Sequence, residues 1–208
     1  MHAKSSRWHA LAWIGLTVVL SGVAVGASRS RSSLRLPKAP LPDFGVVPDF
    51  SLTDQHGMPF ASSALDGHIW IADFIFTRCR GQCPLMSERM VRLQGVFGDE
   101  PAIRFVSFSV DPAYDTPEVL SGYAKHWGAD VARWRFVTGE AAELTHLAQE
   151  GFHLSVSEDG TADEPITHSV RLVLVDHQRR IRGYYDATEP QAMGRLVSDA
   201  RRLIQEGS

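Results

Sequence analysis

The chain has 208 residues, 44% of them hydrophobic and 22% charged, the composition of an ordinary globular protein that can bury a sizeable core. Its formal net charge of −3 supplies no basic field of the kind that draws a phosphate backbone, which argues against nucleic acid as a partner. Two cysteines in the whole chain are too few for a disulfide scaffold, and the length predicts one domain plus an appendage.

The appendage comes first. Lys4 and Arg7 precede an uncharged apolar stretch from Ala10 to Ala27 that includes Leu11, Trp13, Ile14, Leu16, Val18, Val19, Leu20, Val23 and Val25. At about 1.5 Å per residue this stretch covers ~27 Å, just enough to cross a bilayer core. Residues 1–27 therefore read as one N-terminal transmembrane helix that anchors the chain. Val25-Gly26-Ala27 also resembles a small-residue cleavage site, so a removed signal peptide is the alternative. Arg29, Arg31, Arg35 and Lys38 follow the stretch and balance the charges before it, so charge alone does not orient it. An apolar segment leading one large domain exports that domain, which places residues 28–208 outside the cytoplasm. Residues 28–47 are rich in Ser, Arg and Pro without periodicity and read as a tether, followed by a folded domain over 48–208.

From Val47 the chain alternates strand-like and helix-like stretches. Val47 to Thr53 predicts a short strand ending in the polar turn Asp54-Gln55-His56-Gly57. His68 to Phe76 is a near-continuous apolar run with one charge, Asp73, the pattern of a central strand covered on both faces. Pro84 suits the first turn of a helix that carries Leu85, Met86, Met90, Val91, Leu93 and Phe97 and ends near Gly98. Ile103 to Val110 predicts the next strand. Thr116-Pro117-Glu118 opens a helix through Trp127, with Thr116 as N-cap and Pro117 at the first helical position. Trp134 to Thr138 follows as a strand and Glu140 to Glu150 as a helix. Val170 to Asp176 and Ile181 to Tyr185 pair as an antiparallel hairpin turned by His177 to Arg180, and a helix from Pro190 to Gln205 closes the chain. The fold class is therefore α/β, a mixed sheet with an antiparallel edge, flanked by helices. The order of elements resembles a thioredoxin-like fold with an insertion before its last hairpin.

Both cysteines fall in one pentapeptide, Cys79-Arg80-Gly81-Gln82-Cys83, where a strand hands over to a helix. Helix-start dipoles and cationic neighbours stabilise thiolates, and Arg78 and Arg80 add positive charge, so at least one thiol is expected to be more acidic than a free cysteine. Thiolate is the form that binds metal or attacks a disulfide. An i,i+4 pair can close a disulfide if the loop bends, and it can equally converge on a soft metal. Met86 and Met90 are soft donors at helical spacing from Cys83, but core packing is the stronger expectation for both. Asp111 either holds the loop near the site through hydrogen bonds or belongs to an Asp-Pro turn before the Asp115/Thr116 helix start.

Nine histidines compete for the place of a third ligand. His56, His68 and His177 fall in turns or at strand edges, where a surface role is the stronger expectation, and His126, His146 and His153 lie in or beside helices. His168 stands apart because it directly precedes the strand Val170–Asp176 after a polar loop, Ser155 to Thr167, which in a thioredoxin-like sheet abuts the cysteine turn.

Three ordered motifs carry a resemblance. Phe74-Ile-Phe-Thr77-x-Cys79-x-x-x-Cys83-Pro84, then Val110-Asp111-Pro112-x-x-Asp115-Thr116-Pro117, then His168-Ser169 ahead of Leu172-Val-Leu-Val-Asp176, together resemble the SCO/SenC family of thioredoxin-like copper proteins. The resemblance spans roughly Phe50 to Ile204. It implies that copper binds through Cys79, Cys83 and His168. Two thiolates suit soft Cu(I), and an added imidazole suits Cu(II). It also implies a role in assembling the copper centre of cytochrome c oxidase. The partners would be the copper-accepting oxidase subunit and another copper chaperone or a thiol reductant. On this view the protein is an extracytoplasmic metallochaperone on the periplasmic side of a bacterial inner membrane and needs no turnover. The alternative is an enzyme, a thiol-disulfide oxidoreductase that uses Cys79 and Cys83 as its catalytic redox pair; that reading gives His168 no task.

Overall fold

The computed structural model describes residues 39–157 and 166–207, with Thr167 and His168 as backbone. The expected membrane span at 1–27 lies outside the described residues, as does most of the tether. Among the described residues no helix is long and apolar enough to cross a membrane. One compact unit begins at Leu41.

Nine strands and four α-helices follow in order: β1 Ser51–Asp54, β2 Pro59–Ala61, β3 Ile69–Ile75, α1 Gln82–Phe97, β4 Ile103–Ser109, α2 Pro117–His126, β5 Trp134–Thr138, α3 Ala141–His146, β6 Val156–Ser157, β7 Thr167–His168, β8 Arg171–Val175, β9 Ile181–Asp186 and α4 Pro190–Glu206. A 3-10 turn at Ser62–Leu65 and a π-helical turn at Leu147–Gly151 complete them. Seven strands form one sheet in the order β2-β1-β5-β4-β3-β8-β9. The centre is parallel, β3 with β4 and β4 with β5, and both flanks are antiparallel, β1 on β5 and β8 on β3. This is the mixed, helix-flanked sheet expected from the alternation of elements.

The strand at β3 forms because an unbroken apolar run can bury both faces of a pleat, and every one of its residues is buried. Alternation sorts its side chains. Ile69, Ile71 and Ile75 meet Met86, Met90 and Leu93 of α1, Leu120 of α2, and Leu196 and Leu203 of α4. Trp70, Ala72 and Phe74 meet Leu144 of α3, Leu147 and Phe152 on the other face. By the same parity Asp73, fully buried, shares the face of α1. Met86 and Met90 are both 0% exposed in that core, as their helical spacing predicts.

The helix ends follow from local chemistry. The Thr116 side chain accepts from the Val119 N–H with Pro117 at the first turn of α2, as expected. Gly98 at φ +48 ends α1 in a conformation that favours glycine, and its N–H donates to the Gln94 carbonyl at 3.1 Å.

The start of the body departs from the expected boundary at 48. Residues 44–47 run along the last hairpin: the Phe44 N–H donates to the Ile181 carbonyl at 3.0 Å, the Ile181 N–H to the Gly45 carbonyl at 2.8 Å, and the Val47 N–H to the Arg179 carbonyl at 2.9 Å. Val47 is fully buried and Asp43 pairs with Arg180 at 2.5 Å. The end of the stretch read as tether is thus part of the folded domain, held by long-range pairing that leaves no periodicity in the sequence.

Candidate metal centre

The cysteine loop leaves the C-terminal end of β3, the central strand. Its first residues are tied down before either sulfur is reached. The Val110 N–H donates to the Ile75 carbonyl at 2.8 Å and the Cys79 N–H to the Phe76 carbonyl at 3.2 Å. Thr77 donates its N–H to Asp115 at 3.2 Å and its hydroxyl to Asp115 Oδ1 at 2.5 Å, and the Ser109 hydroxyl donates to Asp115 Oδ2 at 2.6 Å. Asp115 is fully buried. Burial pushes its carboxyl up, and the hydrogen bonds from Ser109 and Thr77 offset part of that rise.

Arg78 turns to the same segment. Its Nε donates to Asp111 Oδ2 at 2.6 Å, and its guanidinium lies over the Tyr114 ring at 5.1 Å from the centroid, an arrangement that favours a planar cation. Asp111 is in turn held by its own N–H, which donates to Ser109 Oγ at 3.1 Å. Both readings of Asp111 hold: its carboxylate grips the loop through an ion pair, and its carbonyl accepts from the Tyr114 and Asp115 N–H groups at 3.0 and 2.9 Å in the turn before α2. Asp115 does more than start a helix.

Gly81 precedes the first turn of α1, and Cys83 lies within that turn together with Pro84, as the proline predicts. Cys83 is 0% exposed and Cys79 9%. Both are thiols, and Cys83 hydrogen-bonds to Cys79. The interaction with Cys79, then burial, push the Cys83 thiol far up, with Asp73 adding to the rise and the Phe76 backbone opposing it. The expectation of a more acidic thiol does not hold for Cys83. The helix-start argument treats the residue as solvated, whereas here it is sealed in the core, and one of the two neighbouring cations, Arg78, is committed to Asp111. Tyr123 joins this pocket: its hydroxyl is 2.7 Å from Ser87 Oγ, and burial, then the charge of Cys83, push its phenol up.

His168 lies in β7, whose partner is β6 in register Val156↔His168; the Ser169 N–H donates to the Ser155 carbonyl at 3.0 Å. Antiparallel pairing of β8 with β3 in register Ala72↔Val173 carries the backbone before Arg171 toward the end of the sheet where the cysteine loop begins. Among the described residues no group of three or more His, Cys, Asp or Glu side chains converges on one point. The sulfurs of Cys79 and Cys83 are the pair brought together. Two adjacent buried sulfurs form a soft donor set suited to copper or, without metal, a dithiol that can close to a disulfide.

The comparisons agree with this frame. A family model described as SCO1/SenC matches residues 39–205. The SCO1 protein homolog of Bacillus subtilis is 31% identical over 157 residues, which cover 74% of this chain and 81% of that protein. The crystal structure of a SCO1/SenC family lipoprotein from Bacillus anthracis matches with a TM-score of 0.73 at 29% identity, over 80% of this chain and 99% of that one. BsSco, a member of the Sco family of cytochrome c oxidase assembly proteins in which a disulfide switch was identified, matches with a TM-score of 0.69 at 29% identity, over 80% and 96% of the two chains. The family match runs the length of the folded domain and takes in the cysteine loop, the Asp111–Thr116 segment and the strand that bears His168, so the chain belongs to the SCO1/SenC family.

Proposed function

We propose that this protein is an extracytoplasmic copper-binding chaperone that assists assembly of the copper centre of cytochrome c oxidase, holding one copper through Cys79, Cys83 and His168. The observation that carries the reading is the contact between two buried sulfurs at the start of α1. Two thiolates match soft Cu(I), and an imidazole nitrogen from His168 adds the donor that Cu(II) favours. The copper-accepting oxidase subunit is the partner, with another copper chaperone or a thiol reductant upstream.

Anaerobic titration of the full chain in detergent tests the reading. The reduced protein is expected to bind one copper per chain, and its disulfide form to lose tight binding. Cys83 stays protonated through the neutral range, so metal uptake expels a proton and affinity rises with pH, by about tenfold per unit for each proton displaced. A disulfide form that holds copper as firmly as the reduced one removes the thiolates from the site.

The hydrogen bond between the two thiols also favours a second reading, a thiol-disulfide oxidoreductase acting on a partner's cysteines. The two roles are compatible, because a target's cysteines must be reduced before they accept copper.

The domain is placed outside the cytoplasm, anchored through residues 1–27. A reporter that folds only outside the cytoplasm, fused after Ser208, is expected to be active; activity of a cytoplasm-only reporter there reverses the topology.

A further inference from the structure

We infer that Arg78, Asp111 and Tyr114 form a latch that closes the cysteine loop over Cys79, so that Arg78 is a positioning residue controlling which reagents reach that sulfur. The inference rests on the reading of Cys79 and Cys83 as the reactive pair, but not on copper. Two anchors of one loop differ in depth. Thr77 is held by Asp115, which is fully buried and also takes the Ser109 hydroxyl; that anchor belongs to the core. The next residue is held at the surface: the Arg78 side chain is 48% exposed, whereas the Asp111 carboxylate it grips is 6% exposed. Tyr114, under the guanidinium, is 48% exposed.

Cys79 follows immediately. The residue is 9% exposed, which leaves a bulky disulfide or a partner's sulfur little room, because exchange needs an open line of approach to the atom attacked. The residues that would have to move are those beyond Thr77; beside the Cys79 N–H bond to the Phe76 carbonyl and the contact of Cys79 with Cys83, the side chain of Arg78 holds them through an ion pair and a cation–π contact. Arg78 and Tyr114 are half-exposed, so solvent competes for the guanidinium, although its carboxylate partner is nearly buried. Such a latch opens from its solvated side without disturbing the core anchor at Asp115, and its opening swings the backbone that carries Cys79.

The reaction that reports this is oxidation of the reduced, metal-free protein by dithiodipyridine, an uncharged aromatic disulfide. The Cys79 sulfur attacks one reagent sulfur and expels one thiopyridone. Cys83 then attacks the mixed disulfide, closing the Cys79–Cys83 bond and expelling the second thiopyridone. Two protein thiols lose two electrons and two protons, and the reagent's S–S bond takes them up.

The experiment uses the full chain in detergent, with methyl methanethiosulfonate as a small uncharged comparison reagent. Arg78→Ala is expected to raise the dithiodipyridine rate about three- to tenfold, as loss of one ion pair and one cation–π contact with a solvated guanidinium implies, and to raise the small-reagent rate less. Arg78→Lys keeps the charge but loses the planar fork and should fall between wild type and Arg78→Ala. Asp111→Asn should also accelerate the reaction, and Arg78→Ala with Asp111→Asn should gain little over either alone, because both open one latch. Equal melting of the metal-free variants keeps unfolding from mimicking the effect. Rates unchanged in Arg78→Ala, or single effects that multiply in the double variant, overturn the latch. A slower Arg78→Ala with Arg78→Lys at the wild-type rate overturns it too, assigning Arg78 the role of a thiolate-stabilising charge. Because no copper is present, these outcomes stand apart from success or failure of the copper titration.

Discussion

His168→Ala is expected to abolish Cu(II) binding and its thiolate charge-transfer colour while Cu(I) binding survives in weakened form. The asymmetry follows from the donors. Removing the imidazole leaves two sulfurs, which Cu(I) accepts in near-linear geometry, whereas Cu(II) loses its only borderline nitrogen. A histidine acting one shell away from the metal would give a milder loss, on the order of 10–100-fold in affinity. The histidine sits in a two-residue strand, β7, that pairs with β6 apart from the seven-stranded sheet, so the metal-free variant should melt within about ±0.5 kcal/mol of wild type. Optical and paramagnetic resonance titration with both copper states, beside a thermal melt of the metal-free protein, checks both halves. Undiminished Cu(II) colour in a stable variant removes His168 from the site and leaves the thiol oxidoreductase as the better reading.

Asp115→Ala should cost more stability than any other substitution around the loop. The carboxylate is buried and accepts from the Thr77 N–H, the Thr77 hydroxyl and the Ser109 hydroxyl. Removing it strands three donors at once, at about 1–3 kcal/mol for each that finds no new partner. Hydroxyls can rotate, and burial already opposes ionisation of Asp115, so the net loss should be about 2–4 kcal/mol. In a protein of this size that is a fall in melting temperature of about 5–15 °C. Asp115→Asn keeps an acceptor and should lose about half as much. Because the same contacts fix the residues just before Cys79, copper affinity should fall by about tenfold or more even where the fold survives. Urea unfolding of the metal-free protein and copper competition on the folded fraction separate the two effects. A melting temperature within a degree of wild type would show that water or neighbouring groups satisfy those donors.

What could be read from the sequence was what local chemistry writes. The strand Trp134–Thr138 falls where predicted, and the cap at Thr116 and the hairpin of β8 and β9 follow from short-range signals. Elements too short to show a period were missed: β2, three residues opening on Pro59, and the pair of β6 and β7, two residues each. The helix expected over 140–150 is split, α-helical to His146 and π-helical beyond, a change of winding that apolar spacing cannot express. At the site the cysteines announce themselves by proximity. Their supports do not, because Thr77 and Asp115 are 38 positions apart and Arg78 and Asp111 33, distances at which only the folded sheet makes neighbours. Asp73 registers in the sequence merely as one charge in an apolar run. Its bearing on Cys83 depends on sharing the α1 face of β3.

The strand order has a consequence for how the dithiol is guarded while the chain is made. β3, which delivers the cysteine loop, is flanked by β4 and by β8, and β8 begins at Arg171, long after Cys83. The core around the two sulfurs also takes Leu172, Leu174, Leu196 and Leu203 from the last part of the chain. Contacts of such long sequence separation form late in folding, so a growing chain presents both thiols to oxidants before the material that covers them has arrived. The redox state of the pair is therefore open to setting at two moments: once in the nascent chain by whatever thiol chemistry surrounds it, and again in the finished protein only through the narrow opening at Cys79.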